Sequence, residues 1–506
     1  MEPRAILPGS KALTRVAVTL LLALAVVSTA ACAPARDSKR TSDGPREAEA
    51  VAKDRLRGVL PDPQIAFLDS LEQSAFRWFW EQTDSTTGLT PDRAPTPSFV
   101  SVGAMGFALT AYPIGAERGW VTRAQAAERA RRTLAFMASA SQDTANHSAT
   151  GAHGFFYHFL DMKTGRRYRD SELSTIDTAL LLAGARFCRA YFDGSSDAER
   201  GVRAWTDTLL DRVEWGWVEP RPPSMALGWS PEAGFLPYDW GGLNETIILH
   251  ILAIGSDTHP VTPGLWSAYT RHYRWGTFEG FEQLGFAPLF GHQYSHIWID
   301  FRGIRDDAMR AHDLDYFENS RRATLSQRAY AIENPAGFRG YGERLWGLTA
   351  CDGPIDTNVV WGGRGRQFHS YSARGATFTH VNDDGTICPA AAAGSMPFAP
   401  KECADVLMAM RADWGTWAMN RYGFVDAFNP TLNSRFPVRY GRIVPNAGWF
   451  DVDQLGIDQG PILAMIENAR SELIWRTMRR DPQLVRGLRR AGFRGGWLDA
   501  APAEWK

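Results

Sequence analysis

The chain runs to 506 residues, 44% of them apolar, with 55 basic and 56 acidic side chains and a formal net charge of −1. So even a balance excludes a nucleic-acid binder working through bulk charge, and so apolar a chain excludes global disorder. With 19 Trp, 27 Phe and 14 Tyr, there are enough aromatic rings to line a binding surface as well as a core.

Arg4, Lys11 and Arg15 precede or open the apolar run Val16–Val27. That run is too short for a bilayer span, which takes about 20 residues, but suits a secretory leader. It closes on Ser28-Thr29-Ala30-Ala31-Cys32, which resembles a bacterial lipoprotein cleavage box. That resemblance implies a leader over 1–31, a lipid on Cys32 and a mature chain held in the bacterial envelope or periplasm. Residues 32–60 are rich in Pro, Ala and charge without apolar periodicity and read as a flexible tether. The lipid anchor is then the expected membrane contact, no nucleic-acid partner is expected, and the chain reads as a monomer.

Beyond the tether the pattern is helix, loop, helix. Phe67, Leu68, Leu71, Ala75, Phe76 and Phe79 recur at three- and four-residue spacing. Thr122 reads as an N-cap ahead of an Ala-rich helix. Ser174–Phe192 is apolar nearly all round, and Ser196–Val213 follows as an amphipathic partner. Similar signals recur over Asn244–Ile254, Pro263–Arg274, Tyr316–Ile332, Pro400–Arg411, Ile457–Glu467 and Ser471–Arg480. Alternating Val/Ile/Thr-rich stretches are nearly absent, which argues against a sandwich or a parallel sheet. The fold class expected over 61–498 is all-α, a single (α/α)6 barrel of helical hairpins.

Polar and aromatic residues concentrate in five loops. Gly154–Asp161 leads to Ser171-Glu172-Leu173-Ser174-Thr175-Ile176-Asp177, where Ser174 or Asp177 caps a helix or Asp177 faces a ligand. Trp240-Gly241-Gly242-Leu243-Asn244-Glu245 places Glu245 ahead of an apolar helix, where burial would raise its pKa as a general acid requires. In Pro288–Gly303, His292 and His296 are four apart, but Gln293 stands where a zincin has its Glu, so the stretch does not match a metalloprotease. Tyr294, Trp298 and Arg302 in the same stretch offer apolar faces with polar edges, as a sugar cleft does. Trp361-Gly362-Gly363-Arg364 lacks the Lys-Ser/Thr of a phosphate-binding loop. Trp449 to Pro461 carries Asp451, Asp453 and Asp458 without the spacing of a calcium loop. No metal and no cofactor is expected. The spacing of Cys188, Cys351, Cys388 and Cys403 gives no metal or redox motif, and a disulfide among the last three is open.

Several of these stretches together, Phe155 to Asp177, Gly291–His296 through Tyr316–Thr324, Thr349-Ala350-Cys351-Asp352-Gly353-Pro354 and Gly456-Ile457-Asp458-Gln459-Gly460-Pro461, resemble the bacterial glucoamylase-like domain. That family includes the endo-β-1,2-glucanases of glycoside hydrolase family 144. The resemblance spans about Phe67 to Phe493. It implies an (α/α)6 barrel that hydrolyses β-1,2-glucan without a metal, with Glu245 as acid, Asp458 as base, and Asp451 and Asp453 competing for the latter role. It also places Glu172 and Asp177 in the acidic pocket. Gly241-Gly242-Leu243 departs from the Asp-Gly-Tyr expected there. Two other readings use the same loops: a polysaccharide lyase built on His292, Tyr294 and Arg302, and a non-catalytic glucan-binding lipoprotein with Trp240, Trp298 and Trp449 as platforms.

Overall fold

A computed structural model describes residues 54–361, 364–433 and 437–505. The leader 1–31, Cys32 and the tether as far as Lys53 lie outside the described residues, as do Gly362 and Gly363 of the glycine-rich turn.

In chain order the α-helices are α1 (Asp62–Gln82), α2 (Val102–Glu117), α3 (Arg123–Ser139), α4 (Thr175–Tyr191), α5 (Asp197–Asp211), α6 (Ile247–Gly255), α7 (Gly264–Thr270) and α8 (Tyr294–Trp298). They continue as α9 (Asp307–Ala311), α10 (Tyr316–Glu333), α11 (Pro389–Ala393), α12 (Pro400–Ala418), α13 (Gly456–Ser471), α14 (Leu473–Met478), α15 (Pro482–Arg490) and α16 (Gly496–Ala500). Among the described residues, none is long and apolar enough to cross a membrane.

Helix α2 sets the frame. It is apolar all round and buried from Val102 to Gly115, so it has no one-faced stripe to betray it in the sequence. Ser101 caps it, the side-chain oxygen accepting from Ala104 N at 3.3 Å. Helices α4 and α13 press on α2 through glycines. A Cβ on Gly184 would lie 2.1 Å from the Gly106 carbonyl oxygen, and one on Gly460 2.2 Å from the Phe107 ring. The α4 and α13 N-termini meet α2 near Gly103 and Ala104, so the three helices run parallel and begin at one rim. The outer pair α3 and α5 packs against this frame. Thr122 and Gln125 form a reciprocal capping box on α3, as the sequence indicates.

More N-termini reach the same rim. Ser295 Oγ of α8 accepts from Ile248 N of α6 at 3.0 Å and donates to the Glu245 carbonyl at 2.8 Å. Tyr294 donates its hydroxyl to the Ile457 carbonyl at 3.1 Å, and Cys388, which precedes α11, lies against Asp458.

Two expectations need correction. The described residues are not all-α: short strands are numerous, most of two or three residues, and the largest sheet joins 151–152, 155–157, 173–174, 228–230 and 234–235 in antiparallel order. The loops cross buried helix ends, where main-chain groups need partners, and ladders this short carry no readable alternation. The tether also ends before residue 60: Leu56 and Leu60 are buried, and Asp54 pairs with Arg470 at 2.8 Å.

Candidate active site

Two clusters of carboxylates occupy the rim. In the first, Ser174 caps α4, its Oγ accepting from Asp177 N at 3.2 Å and lying 2.5 Å from Asp177 Oδ2. Ser174 is therefore the cap, and Asp177 sits buried in the first turn. Gly103 leaves space for it, since a Cβ there would be 2.5 Å from Asp177 Oδ1. His158 stands between Asp177 and the half-exposed Glu172, 2.9 Å from Glu172 Oε1 and 3.5 Å from Asp177 Oδ2. Trp240 donates its indole N–H to Thr175 Oγ1 at 2.8 Å, which fixes a partly buried ring over the start of α4. Glu245, just ahead of α6, is pushed up to about 7, first by burial and then by the charge of Asp177.

The second cluster surrounds the first turn of α13. Asp458 is pushed up to about 7, chiefly by burial; a hydrogen bond from Asp426 works against this, and Asp352 and Asp92 add to it. Asp352 donates its backbone N–H to Asp426 Oδ2 at 2.7 Å, Asp453 Oδ1 accepts from Thr96 N at 2.8 Å, and Asp451 Oδ1 accepts from Val452 N at 2.7 Å. Asp426 and Asp451 are pushed well above the usual carboxylate range, first by burial and then by neighbouring acids. Arg93 brings positive charge, pairing with Asp92 at 3.1 Å and with Asp352. One oxygen each of Asp352, Asp426, Asp451 and Asp458 is buried without a protein hydrogen bond.

Two sets of donor atoms converge within 4.8 Å of one another: Asp352, Asp426 and Asp451, and Cys388, Asp426 and Asp458. The first has the all-oxygen chemistry a hard divalent cation takes. The second includes a thiol that burial pushes well above its ordinary pKa, which suits it poorly to metal binding.

Two carboxyls pushed up to about 7 on one rim, the partly buried Glu245 ahead of α6 and the buried Asp458 on α13, can serve acid–base hydrolysis. Residues 237–482 match the Glycoamylase family model, described as "Putative glucoamylase". A solved structure from Bacteroides uniformis, described as a "putative glucoamylase", is 30% identical, with a TM-score of 0.74, 86% of this chain covered and 99% of the other. The chain belongs to the glucoamylase-like family.

Within that family it is similar to the endo-β-1,2-glucanase of Chitinophaga pinensis, solved with sophorotriose and glucose: 26% identity, TM-score 0.73, 86% of this chain and 99% of the other. It is also 28% identical over 465 residues to an exo-β-1,2-glucooligosaccharide sophorohydrolase (non-reducing end) of Parabacteroides distasonis. That alignment covers 85% of this chain and 58% of the relative, so the chain spans little more than half the relative's length.

The rim brings together Glu172, Asp177, Trp240, Glu245, Tyr294, Asp451, Asp453 and Asp458, but not the rest of the expected site. His292 is buried, with Nε2 3.0 Å from the Phe286 carbonyl, and burial lowers its pKa to about 4. His296 is buried among Phe301, Phe317 and Phe398, with Nε2 3.1 Å from Ser320 Oγ. Trp298 stacks on Phe107 and donates to Thr110 Oγ1 at 3.1 Å, while Trp449 donates to the Tyr440 carbonyl at 2.8 Å; both are fully buried. These rings stabilise the core and present no face to a sugar. Arg302 pairs with Asp300 and with Glu472 just past the last turn of α13. Fourteen residues of helix put that end about 21 Å from Asp458. The four described cysteines carry no disulfide.

Asp92, Arg93, Asp426 and Cys388 were missed as site residues, and so were His158 and Asp352, although both stand in stretches singled out above. Asp426 sits in a short buried run, and Asp92 in a loop, where no periodicity marks them.

Proposed function

We propose that this chain hydrolyses β-1,2-linked glucan by an inverting mechanism, with Glu245 as general acid and Asp458 as general base, at the mouth of an (α/α)6 barrel. The carrying observation is the pair itself: the partly buried Glu245 just ahead of α6 and the buried Asp458 in the first turn of α13, on one rim, each pushed up to about 7. The N-termini of α2, α4, α6, α8, α11 and α13 form the inner ring of that barrel. Protonated Glu245 gives its proton to the glycosidic oxygen as the bond breaks, and ionised Asp458 takes a proton from the attacking water. Trp240 and Tyr294 line the sugar's path, and Glu172 and Asp177 accept from its hydroxyls. The names of the Chitinophaga and Parabacteroides relatives support the β-1,2 linkage. A lyase would need His292, Tyr294 and Arg302 together, and a glucan-binding lipoprotein would need Trp298 and Trp449 exposed; neither condition is met. In the same reading Cys32 carries the lipid that holds a monomeric enzyme in the bacterial envelope.

The test is a product assay on β-1,2-, β-1,3- and β-1,4-glucans, with the anomer of the new reducing end followed by NMR. Hydrolysis of the β-1,2 polymer with initial release of the α-anomer is expected, and Glu245→Gln should slow turnover by about 10²–10⁴-fold. The rate should peak near neutral pH, falling above it as Glu245 loses its proton and below it as Asp458 gains one. Full activity of Glu245→Gln, or no cleavage of any glucan, would refute the mechanism.

A further inference from the structure

His158 has no place in the mechanism above, yet the rim is arranged around it. Its backbone is fixed on two sides: its N–H donates to the Glu172 carbonyl at 2.8 Å, and its carbonyl accepts from Val102 N at the start of α2 at 3.1 Å. Its ring stacks on Phe159 at 3.8 Å. Both ring nitrogens face carboxylate oxygens, Nδ1 toward Glu172 Oε1 at 2.9 Å and Nε2 toward Asp177 Oδ2 at 3.5 Å. Ionised carboxylates only accept hydrogen bonds, and a neutral imidazole has a single N–H. A neutral ring would set a lone pair against one of the two oxygens. An imidazolium presents an N–H to each, hydrogen-bonded to Glu172 and within ion-pair distance of Asp177.

We propose that His158 is a doubly protonated positioning residue that clamps Glu172 and Asp177 side by side next to Glu245. This rests on the reading of Glu245 as the acid. The charged groups facing the ring are Glu172 from the loop just before the strand 173–174, Asp177 from α4 and Asp92 from the loop after α1, the last already paired with Arg93. Burial works against the cation, but Asp177, Glu172 and Asp92 outweigh it and hold His158 up to about 9. The cation in turn draws Glu172 below its ordinary value, although burial pushes the other way. The clamp fixes where the Asp177 charge sits, and that charge raises the pKa of Glu245.

Two measurements test it. In 15N NMR of the imidazoles, with His158 assigned by its loss in His158→Gln, both nitrogens should carry protons at pH 7.5 and titrate near 9. A His158 with one N–H at pH 7.5 overturns the proposal whatever the activity. In pH profiles of kcat/KM on β-1,2-glucan, His158→Gln should lose about tenfold at pH 7 and move the alkaline limb upward, because a nearby positive charge is gone. Asp177→Asn should move that limb downward, and His158→Lys should recover part of the loss. If His158→Gln keeps the wild-type rate and limb, no clamp acts on Glu245. If instead Glu245→Gln stays active, the acid assignment fails while the NMR result still decides the protonation of His158. Should His158→Gln fail to fold, His158→Lys supplies the assignment of the wild-type spectrum, and Asp177→Asn carries the activity test.

Discussion

The two ends of helix α13 place acidic residues in opposite circumstances. At the rim end, Asp458 lies among Asp92, Asp352, Asp426, Asp451 and Asp453, with Arg93 supplying positive charge. At the far end, Arg470 pairs with Asp54 at 2.8 Å, Asp69 at 2.8 Å and Glu72 at 3.2 Å. Arg118 joins Glu72 at 3.1 Å and Glu467 at 3.5 Å, and Glu472 meets Arg302 at 2.6 Å. Both ends bury carboxyls. The far end surrounds them with guanidinium groups, whose rigid donor forks tie α1, α13 and the residues before α1 together. The rim offers its carboxyls little counter-charge beyond Arg93, and Asp426, Asp451 and Asp458 are pushed up, Asp458 to about 7; at the far end burial and Glu467 push Glu72 up as well, with Arg118 and Arg470 working against them. Burial without a counter-charge is destabilising, and it is tolerated where the chemistry uses it.

The sharpest way to break the comparison is Asp458→Asn. Turnover should fall by about 10²–10⁴-fold with the circular dichroism spectrum unchanged. The folded pKa of Asp458, about 7, lies above its unfolded value, so its stabilising contribution is complete only below the unfolded pKa and is lost as the pH rises toward 7. At pH 8 the native aspartate is therefore a burden, and Asp458→Asn should melt several degrees higher than wild type, with the gap closing toward pH 5. A variant that is both inactive and less stable at pH 8 would make Asp458 a structural group. If Asp458→Asn stays active while Asp451→Asn or Asp453→Asn is dead, the base lies there.

A substitution at the other end should do the reverse. Arg470→Met takes one guanidinium from Asp54, Asp69 and Glu72 and leaves Arg118 to the last two, and denaturant unfolding should show a loss of about 3 kcal/mol. At a temperature where the variant is still folded, kcat/KM should stay within about twofold of wild type. A large activity loss there would mean that the two ends are not separable.

The smallest effect is expected at Arg302. Its side chain is 30% exposed and serves Asp300 and Glu472, so Arg302→Gln should cost about 1 kcal/mol and leave kcat/KM unchanged. A folded variant with kcat/KM reduced more than tenfold would return Arg302 to the cleft.

Local pattern was readable in the residues themselves. The caps at Thr122 and Ser174, the amphipathic stripes from Phe67 to Phe79, and the apolar helices at 175–191 and 247–255 follow from propensity and three- to four-residue spacing. Glu245 stands out as a candidate because an apolar helix follows it, and Asp458 because it lies in the Gly456-Ile457-Asp458-Gln459-Gly460-Pro461 stretch that carries the family resemblance. Helix α2 was not, because a helix buried on every side has no period to detect. What only the tertiary structure decided was direction and company. Helix α8 is five residues long and enclosed by α6, α13 and α14, so His292, His296 and Trp298 turn into the core although their spacing suits a surface. Asp352 and Asp426 reach Asp458 from distant parts of the chain. Their shifted protonation depends on desolvation and charge across a few ångströms of space, a distance that sequence separation does not measure.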